Sequence, residues 1–369
     1  MLPSTSRGLS AIALIGVLAA TAGCGSDNAV RGNERLPVPA DLECPPGSLS
    51  GSGSSAQENA MQVWIAGYQT ACEDSRVYYD AIGSGGGRSQ FVDGAVAFAG
   101  SDAALDPEEA ADAAPRCHGS EAINLPAYVV PIAVVFHLEG VDSLNMTPET
   151  IARVFAGEIT FWDDPAIAAS NPGTDLPHDR ITPVSRSDES GTTENFTAYL
   201  SAAAADAWPY EASGQWPVPA VEAAQGNSGV AQALEGGDGT IGYVEASHVG
   251  SLSTVRVGVG DEFVAPDPEA AAAVVAASPQ RPGGSEHDHA LELDYATTEP
   301  GTYPVVLVSY EVACLRYADA AEAERVTGFL RYVLSEEGQR AASEETGSAP
   351  LPESTLADLR ASLDAIGAA

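Results

Sequence analysis

Four Gly- and Ser-rich turns stand between a predicted strand and a predicted helix, and they carry the residues that could bind an anion. The turns are GSGSSAQ at residues 51–57, IGSGGGRSQF at 82–91, GSDAAL at 100–105 and RSDESGTT at 186–193. A helix N-terminus offers unpaired N–H groups and the positive end of the helix dipole. Hydroxyls add donors, and an arginine guanidinium can hold a tetrahedral oxyanion through two parallel N–H groups. One such turn indicates little, but their combination predicts an oxyanion site.

The basic residues limit the possible chemistry. The 369-residue chain contains no lysine, so all 16 basic residues are arginine. P-loop NTPases, pyridoxal Schiff-base enzymes, lysine aldolases and kinases each need an ammonium group at a fixed place, and the composition excludes them. The 52 acidic residues give a formal net charge of −36, which disfavours nucleic acid and anionic lipid as partners. A guanidinium is therefore the only side-chain cation here that could hold a tetrahedral oxyanion through two N–H groups.

Short β-rich runs alternate with amphipathic helices, which predicts an α/β fold with mostly parallel sheets. A mature chain of roughly 320 residues is large for one sheet, so we expect two lobes. Ser55 followed three residues later by Glu58 predicts a capping box at the first helix. Asp106 followed by Pro107 predicts another helix start, and Asn227 predicts a further cap.

The N-terminus has the features of a bacterial lipoprotein signal. Arg7 precedes an apolar run at residues 9–20 that is too short to span a bilayer, and small residues precede Cys24. We therefore predict a signal peptide over residues 1–23, lipidation of Cys24 and a flexible tether over residues 24–46. An ordinary secretory signal with an incidental cysteine is the alternative.

The remaining cysteines are even in number, which in an exported protein predicts two disulfides in any of three pairings. They are Cys44, Cys72, Cys117 and Cys314. No CxxC motif occurs in the sequence. His287 and His289 in SEHDHA follow Pro-Gly-Gly, which favours a solvated loop over a metal site. No metal and no cofactor are predicted.

The ordered motifs resemble the PstS family, the phosphate-binding lipoproteins of the bacterial phosphate ABC importer. Beside the four turns, GEITFWDDPAI, NPG and GYVEASH stand in the family's order across nearly the whole mature chain. The resemblance implies an α/β, two-lobed, periplasmic-binding-protein-like (type II) fold with a two-strand hinge and one phosphate in the cleft. It implies a first lobe from residues 47–126 and 302–369, and a second lobe from residues 127–301.

The resemblance also implies the ligand contacts, position by position. Ala56 stands where the family often has phenylalanine and would contribute its backbone N–H. Asp188 matches the carboxylate that orients Arg186. Glu189 stands where the family often has glycine, and it adds a negative charge near the cleft. The implied phosphate-binding residues are Ser55, Ala56, Ser84, Asp102, Arg186, Ser190, Gly191 and Thr192.

An aspartate in an anion site is explained by the ligand's protons. An ionised Asp102 only accepts hydrogen bonds, so it suits a ligand that carries an O–H. Hydrogen phosphate carries one and sulfate does not. Asp102 therefore predicts discrimination against sulfate of roughly tenfold to over a hundredfold.

The expected function is high-affinity extracytoplasmic binding of inorganic phosphate and its delivery to the permease subunits of an ABC importer. The resemblance implies a monomer, lipid-anchored to the outer face of the cell membrane, that is not an enzyme. A phosphatase using Ser190 or Thr192 is one alternative, although the sequence has no GxSxG motif and no histidine near Ser190. A receptor for sulfate, molybdate or tungstate is another, and an adhesion or sensory protein is a third.

Overall fold

The computed structural model describes residue 39 and residues 42–369. The predicted signal peptide 1–23, the predicted lipidation site Cys24 and most of the predicted tether 24–46 lie outside the described residues. Along the described chain, no helix combines the length and the apolar character needed to cross a bilayer.

Strands and helices alternate through the described residues, as the sequence predicts. The strands are β1 (Gly47–Gly53), β2 (Ser75–Asp80), β3 (Phe98–Ser101), β4 (Ala122–His137), β5 (Ser143–Met146), β6 (Thr182–Arg186), β7 (Glu222–Ala224), β8 (Thr240–Glu245), β9 (Ser253–Val259), β10 (Glu262–Val264), β11 (Val306–Cys314), β12 (Arg316–Tyr317) and β13 (Gly367–Ala368). The helices are α1 (Glu58–Ala71), α2 (Ser84–Val92), α3 (Pro107–Ala113), α4 (Pro148–Phe155), α5 (Pro165–Ser170), α6 (Gly191–Ala203), α7 (Gly226–Glu235), α8 (Pro268–Ala277), α9 (Ala320–Val333), α10 (Glu336–Thr346) and α11 (Glu353–Asp364), with a short 3-10 turn at Ala246–His248.

Within the described part of the chain, eleven strands form one mixed sheet. Its main path runs β2-β1-β3-β11-β4-β8-β6-β7, and β9 pairs with β4, β5 and β10. β1 is parallel to β2 and β3, and β6 is parallel to β7 and β8. β11 is antiparallel to β3 and β4, and β4 is also antiparallel to β8. The two parallel groups therefore lie on opposite sides of the β11-β4 pair.

β4 connects the two halves of the sheet. Its residues 122–131 pair with β11, and its residues 132–137 pair with β8. The chain returns beside this strand just before β11, where the Ile132 N–H donates to Val305 O at 2.7 Å. Two segments therefore cross between the halves. We call the half with β1, β2, β3 and β11 the first lobe, and the half with β5 to β10 the second lobe.

Buried side chains in both lobes hold the strands in position. β4 is buried at every position except its last residue. Trp64 is fully buried behind the first lobe's sheet, and Trp162 is fully buried in the second lobe. There, Phe196 of α6 stacks on Tyr243 of β8 with ring centroids 4.4 Å apart. The elements that present the predicted turns thus rest on packed aromatic side chains.

Both predicted disulfides form, and the structure selects one of the three pairings. Cys44 is bonded to Cys72, and Cys117 is bonded to Cys314. The first bond ties the chain before β1 to the end of α1. The second ties the segment before β4 to the end of β11.

The SEHDHA segment at residues 285–290 is a loop, as the sequence predicts, but only its first residues are exposed and its end is buried. His289 is buried, with Nε2 2.8 Å from Ser362 Oγ, and its backbone N–H donates to Asn124 O at 3.0 Å. Asp288 accepts from the Asn124 side-chain amide at 2.7 Å. The segment is therefore a structural tie to β4. Among residues 39 and 42–369, no group of three or more His, Cys, Asp or Glu side chains is placed to hold a metal ion.

Candidate functional site

The predicted turns meet where strands from both lobes end. Ser55 lies between β1 and α1, Ser84 is the first residue of α2, and Asp102 directly follows β3. From the second lobe, Arg186 is the last residue of β6, and Gly191 is the first residue of α6. Ligands of α/β proteins bind outside the carboxyl ends of such strands. We call the space between these residues the cleft.

Asp102 is surrounded by hydroxyl groups from several elements. Its Oδ1 accepts from Ser54 Oγ at 2.5 Å and from Ser309 Oγ at 2.7 Å. Its Oδ2 has only longer contacts, at 3.3 Å to Ser84 Oγ and 3.5 Å to Thr192 Oγ1. Oδ1 is therefore well satisfied within the first lobe, whereas Oδ2 keeps the capacity to accept a stronger hydrogen bond from the cleft.

Burial raises the pKa of Asp102 above its ordinary value, although the hydroxyl donors and the charge of Arg186 act to lower it. A buried carboxylate is stabilised by each donor that reaches it. A ligand that brings its own O–H to Oδ2 would add such a donor. The site is thus suited to a protonated oxyanion.

Arg186 is held rigidly at the opposite side of the cleft. Its side chain is 1% exposed, and its Nε and Nη2 donate to Asp188 Oδ1 and Oδ2 at 2.8 and 2.5 Å. The remaining group, Nη1, donates to Thr192 Oγ1 at 3.4 Å. Burial alone would raise the pKa of Asp188, but Arg186 and the Gly226 N–H together hold it below its ordinary value. Asp188 therefore stays ionised and orients the guanidinium.

Ser55 of the first lobe bonds directly to the second lobe. Its Oγ accepts from the Asn227 backbone N–H at 3.2 Å and from Asn227 Nδ2 at 3.1 Å. The same Nδ2 lies 3.3 Å from Thr192 Oγ1. Ser55, Asn227 and Thr192 therefore join the two lobes at the cleft.

The predicted capping box of Ser55 and Glu58 is wrong. α1 begins at Glu58 after Gln57, and the hydroxyl that accepts from this turn is Ser54 Oγ, at 3.0 Å from the Ala56 N and 3.3 Å from the Gln57 N. Ser55 is turned toward Asn227 instead. The Ala56 N–H thus already has an acceptor, Ser54 Oγ.

Ser84 and Gly191 lie against each other across the cleft. Ser84 Oγ accepts from the Asp102 N–H at 3.1 Å. A Cβ added at Gly191 would lie 2.5 Å from Ser84 Oγ and 2.6 Å from Asp102 Cβ. Only glycine allows α6 to begin this close to the first lobe.

Ser190 is the N-cap of α6, and its Oγ accepts from the Thr193 N–H at 3.1 Å. The N–H groups of Gly191 and Thr192 lie in the first turn, where an α-helix provides no acceptor of its own. Ser190 therefore shapes the helix start, and the two N–H groups after it are the donors that α6 offers to an anion.

The structure brings Ser84, Asp102, Arg186, Gly191 and Thr192 into one cleft. It also adds three residues that the sequence does not indicate as parts of the site, namely Ser54, Asn227 and Ser309. Ser54 stands beside Ser55 in the same motif and could have been considered with it. The prediction that Asn227 caps a helix is wrong, because α7 begins at Gly226 after Gln225, and the Asn227 side chain bonds Ser55 and Thr192 instead. Ser309 lies inside the buried strand β11 and has no local signal.

Known proteins resemble the chain over most of its length. The PBP superfamily domain matches residues 38–337. The phosphate-binding protein PstS2 of Mycobacterium bovis is 39% identical over 326 residues, which cover 86% of this chain and 87% of that protein. PstS3 of the same species is 37% identical over 368 residues, which cover 96% and 98%. The chain belongs to the PstS family.

A solved structure agrees with the PstS assignment at the level of the fold. A high-affinity periplasmic phosphate-binding protein of the DING type, bound with phosphate, has a TM-score of 0.70 at 23% identity. The match covers 85% of this chain and 93% of that chain. The predicted two-lobed, type II periplasmic-binding-protein-like fold is thereby confirmed.

PstS proteins are substrate-binding proteins, and this speaks against the phosphatase alternative. The structure gives a second argument, since a nucleophilic serine needs a base within hydrogen-bond reach. Ser190 Oγ accepts from the Thr193 N–H, and two of the histidines that could act as a base bond other groups, His178 to Asp163 and His248 to Glu245.

Proposed function

We propose that this chain binds one inorganic phosphate ion in the cleft. The observation that carries the proposal is the convergence of Asp102 Oδ2, Thr192 Oγ1 and Arg186 Nη1 from the two lobes. One acceptor beside a guanidinium and hydroxyl donors matches an anion that is both charged and protonated. The relatives that are named phosphate-binding proteins support the same ligand.

The proposed roles follow from the groups at each position. Arg186 donates to the phosphate through the N–H groups that its pair with Asp188 leaves free, and Asp188 orients it. Asp102 accepts the phosphate O–H. The residues that donate through hydroxyl or backbone N–H groups are Ser55, Ala56, Ser84, Ser190, Gly191 and Thr192. The Ala56 N–H would have to release Ser54 Oγ, so we expect its share to be small. Ser190 Oγ only accepts from the Thr193 N–H, so its O–H remains able to donate to the anion.

Binding is proposed to close the two lobes around the anion. The two crossing segments at β4 and β11 form the hinge, with lobes of residues 47–126 and 302–369, and of residues 127–301. Contacts such as Ser55 to Asn227 can form only when the lobes approach. A ligand that bridges both lobes favours the closed state, which a permease can recognise.

We further propose that the protein acts outside the cytoplasm and hands phosphate to the permease subunits of an ABC importer. Two disulfides support an oxidising compartment. The signal peptide 1–23, a lipid on Cys24 and the tether 24–46 would hold a monomer at the outer face of the cell membrane. A Cys24→Ala variant that still partitions into detergent with the membrane fraction would refute the lipid anchor.

Titration calorimetry of phosphate-free protein tests the ligand. We expect one phosphate per chain, with sulfate, molybdate and tungstate at least tenfold weaker. A stronger response to one of those anions would replace phosphate as the ligand. Turnover of p-nitrophenyl phosphate by the purified protein would instead support the phosphatase alternative.

A further inference from the structure

A buried arginine of the first lobe lies against two carboxylates of the second lobe. Arg88 of α2 has a side chain that is 7% exposed, and its Nη2 lies 3.7 Å from Glu189 Oε1 and 3.7 Å from Glu194 Oε2. Within its own lobe, Arg88 Nε donates to Glu109 Oε1 at 2.7 Å. We call these four residues the cross-cleft ion cluster.

Glu189 also contacts α2 through its backbone. The Gly85 N–H donates to Glu189 O at 3.2 Å, and a Cβ added at Gly85 would lie 2.4 Å from Glu189 Cγ and Cδ. Glycine at position 85 therefore leaves the room in which the Glu189 side chain rests against the start of α2. Because α2 and Glu189 belong to different lobes, these contacts exist only while the cleft is closed.

Glu189 would act on the retention of a bound anion in two opposite ways. Its charge would repel phosphate, whereas its contacts with Arg88 and Gly85 favour the closed state. The repulsion acts through screened solvent because the Glu189 side chain is 47% exposed. The attraction acts on the Arg88 guanidinium, whose side chain is almost completely buried. A buried charge is strongly destabilised when it loses a partner of opposite charge.

We propose that Glu189 and Arg88 hold the two lobes together across the cleft, and that Glu189 thereby sets the rate at which the bound anion leaves. The proposal rests on the proposed function, since the anion that is released is phosphate. Glu189 would then help to retain the bound anion without contacting it.

The test is a chase experiment. Full-length protein is loaded with radiolabelled phosphate, and its release is followed after an excess of unlabelled phosphate is added. Glu189→Gln is expected to release phosphate about two- to fivefold faster than wild type, the size of effect that a partly exposed ion pair gives. The difference should shrink in high salt because the lost contact is ionic.

Glu158→Gln is the matched control. It removes the same charge from a similarly exposed side chain, one that pairs with Arg153 at 3.2 Å inside the second lobe. We expect its release rate to equal that of wild type. We also expect Glu189→Gln to leave the melting temperature of the anion-free protein unchanged, which a general loss of stability would not.

The outcomes separate the two proposals. If wild type retains phosphate but Glu189→Gln releases it at the same rate, the retention role is refuted and phosphate binding stands. If Glu189→Gln releases phosphate more slowly, Glu189 acts by repulsion and the proposal is also refuted. If the wild type retains no phosphate, the proposed function itself is refuted.

Discussion

Asp102→Asn would exchange one acceptor of the cleft for a donor at almost constant size. Oδ1 receives the two short bonds, from Ser54 at 2.5 Å and Ser309 at 2.7 Å, so an oxygen is required there. The amide of the variant is therefore expected to keep its oxygen at the Oδ1 position. Its NH2 group then takes the Oδ2 position, toward Thr192, where the wild type has an acceptor.

The size of the effect follows from the charge of the group. Sulfate has no proton at neutral pH, so in the wild type it leaves Asp102 Oδ2 facing lone pairs. An unpaired buried acceptor costs about 1 to 3 kcal/mol, and more when charged. The amide removes this cost for sulfate and deprives phosphate of its acceptor. The ratio of phosphate to sulfate affinity should therefore fall by about tenfold to over a hundredfold.

Calorimetry at constant ionic strength measures this ratio, with both anions titrated into phosphate-free protein. Asp106→Asn is a suitable control, since Asp106 caps α3 from an exposed position and asparagine is an equally good N-cap. An unchanged ratio for Asp102→Asn, in a variant that still binds phosphate, would refute the role of Asp102 as the detector of the ligand's proton.

Three further changes test other parts of the structure. Arg186→Lys loses the paired N–H groups, so calorimetry should show phosphate affinity lower by about ten- to a hundredfold, and wild-type affinity would contradict this. Gly191→Ala places a Cβ 2.5 Å from Ser84 Oγ, so its phosphate affinity should fall at least about fivefold. Gly229→Ala, whose added Cβ would lie 3.6 Å from Ala224 Cβ, should bind phosphate normally. Burial raises the pKa of Glu311 well above its ordinary value. The contribution of Glu311 to the free energy of unfolding should therefore fall as pH rises from about 4.3 through that raised pKa, by at most about 1.4 kcal/mol per pH unit. Urea titrations of Glu311→Gln should show a flatter pH profile, and parallel profiles would contradict the assignment.

Local patterns predicted the parts of the fold that depend on local chemistry. Asp106 caps α3 and forms a capping box with Glu109, because an oxygen at the N-cap and a carboxylate three residues later satisfy two backbone donors. The number of disulfides followed from the cysteine count, but the pairing required the fold, since Cys117 and Cys314 lie 197 residues apart in the sequence.

The site was predicted less completely, and the reason lies in how its parts come together. Asp102 and Arg186 stand in recognisable turns. Ser309, however, donates to Asp102 from a strand 207 residues further along the chain, and nothing in its neighbours distinguishes it from any buried serine. Ser55 shows the opposite error. The capping-box pattern predicts that Ser55 caps α1, whereas its hydrogen-bond partner is Asn227, 172 residues away.

The place of β11 in the sheet governs the order in which the first lobe can be assembled during synthesis. β11 is the last long strand of the chain, yet it lies between β3 and β4. A nascent chain that ends before residue 306 leaves the edges of both strands open, and such edges promote association between chains. The sheet of the first lobe is therefore completed only after residues 306–314 have been synthesised.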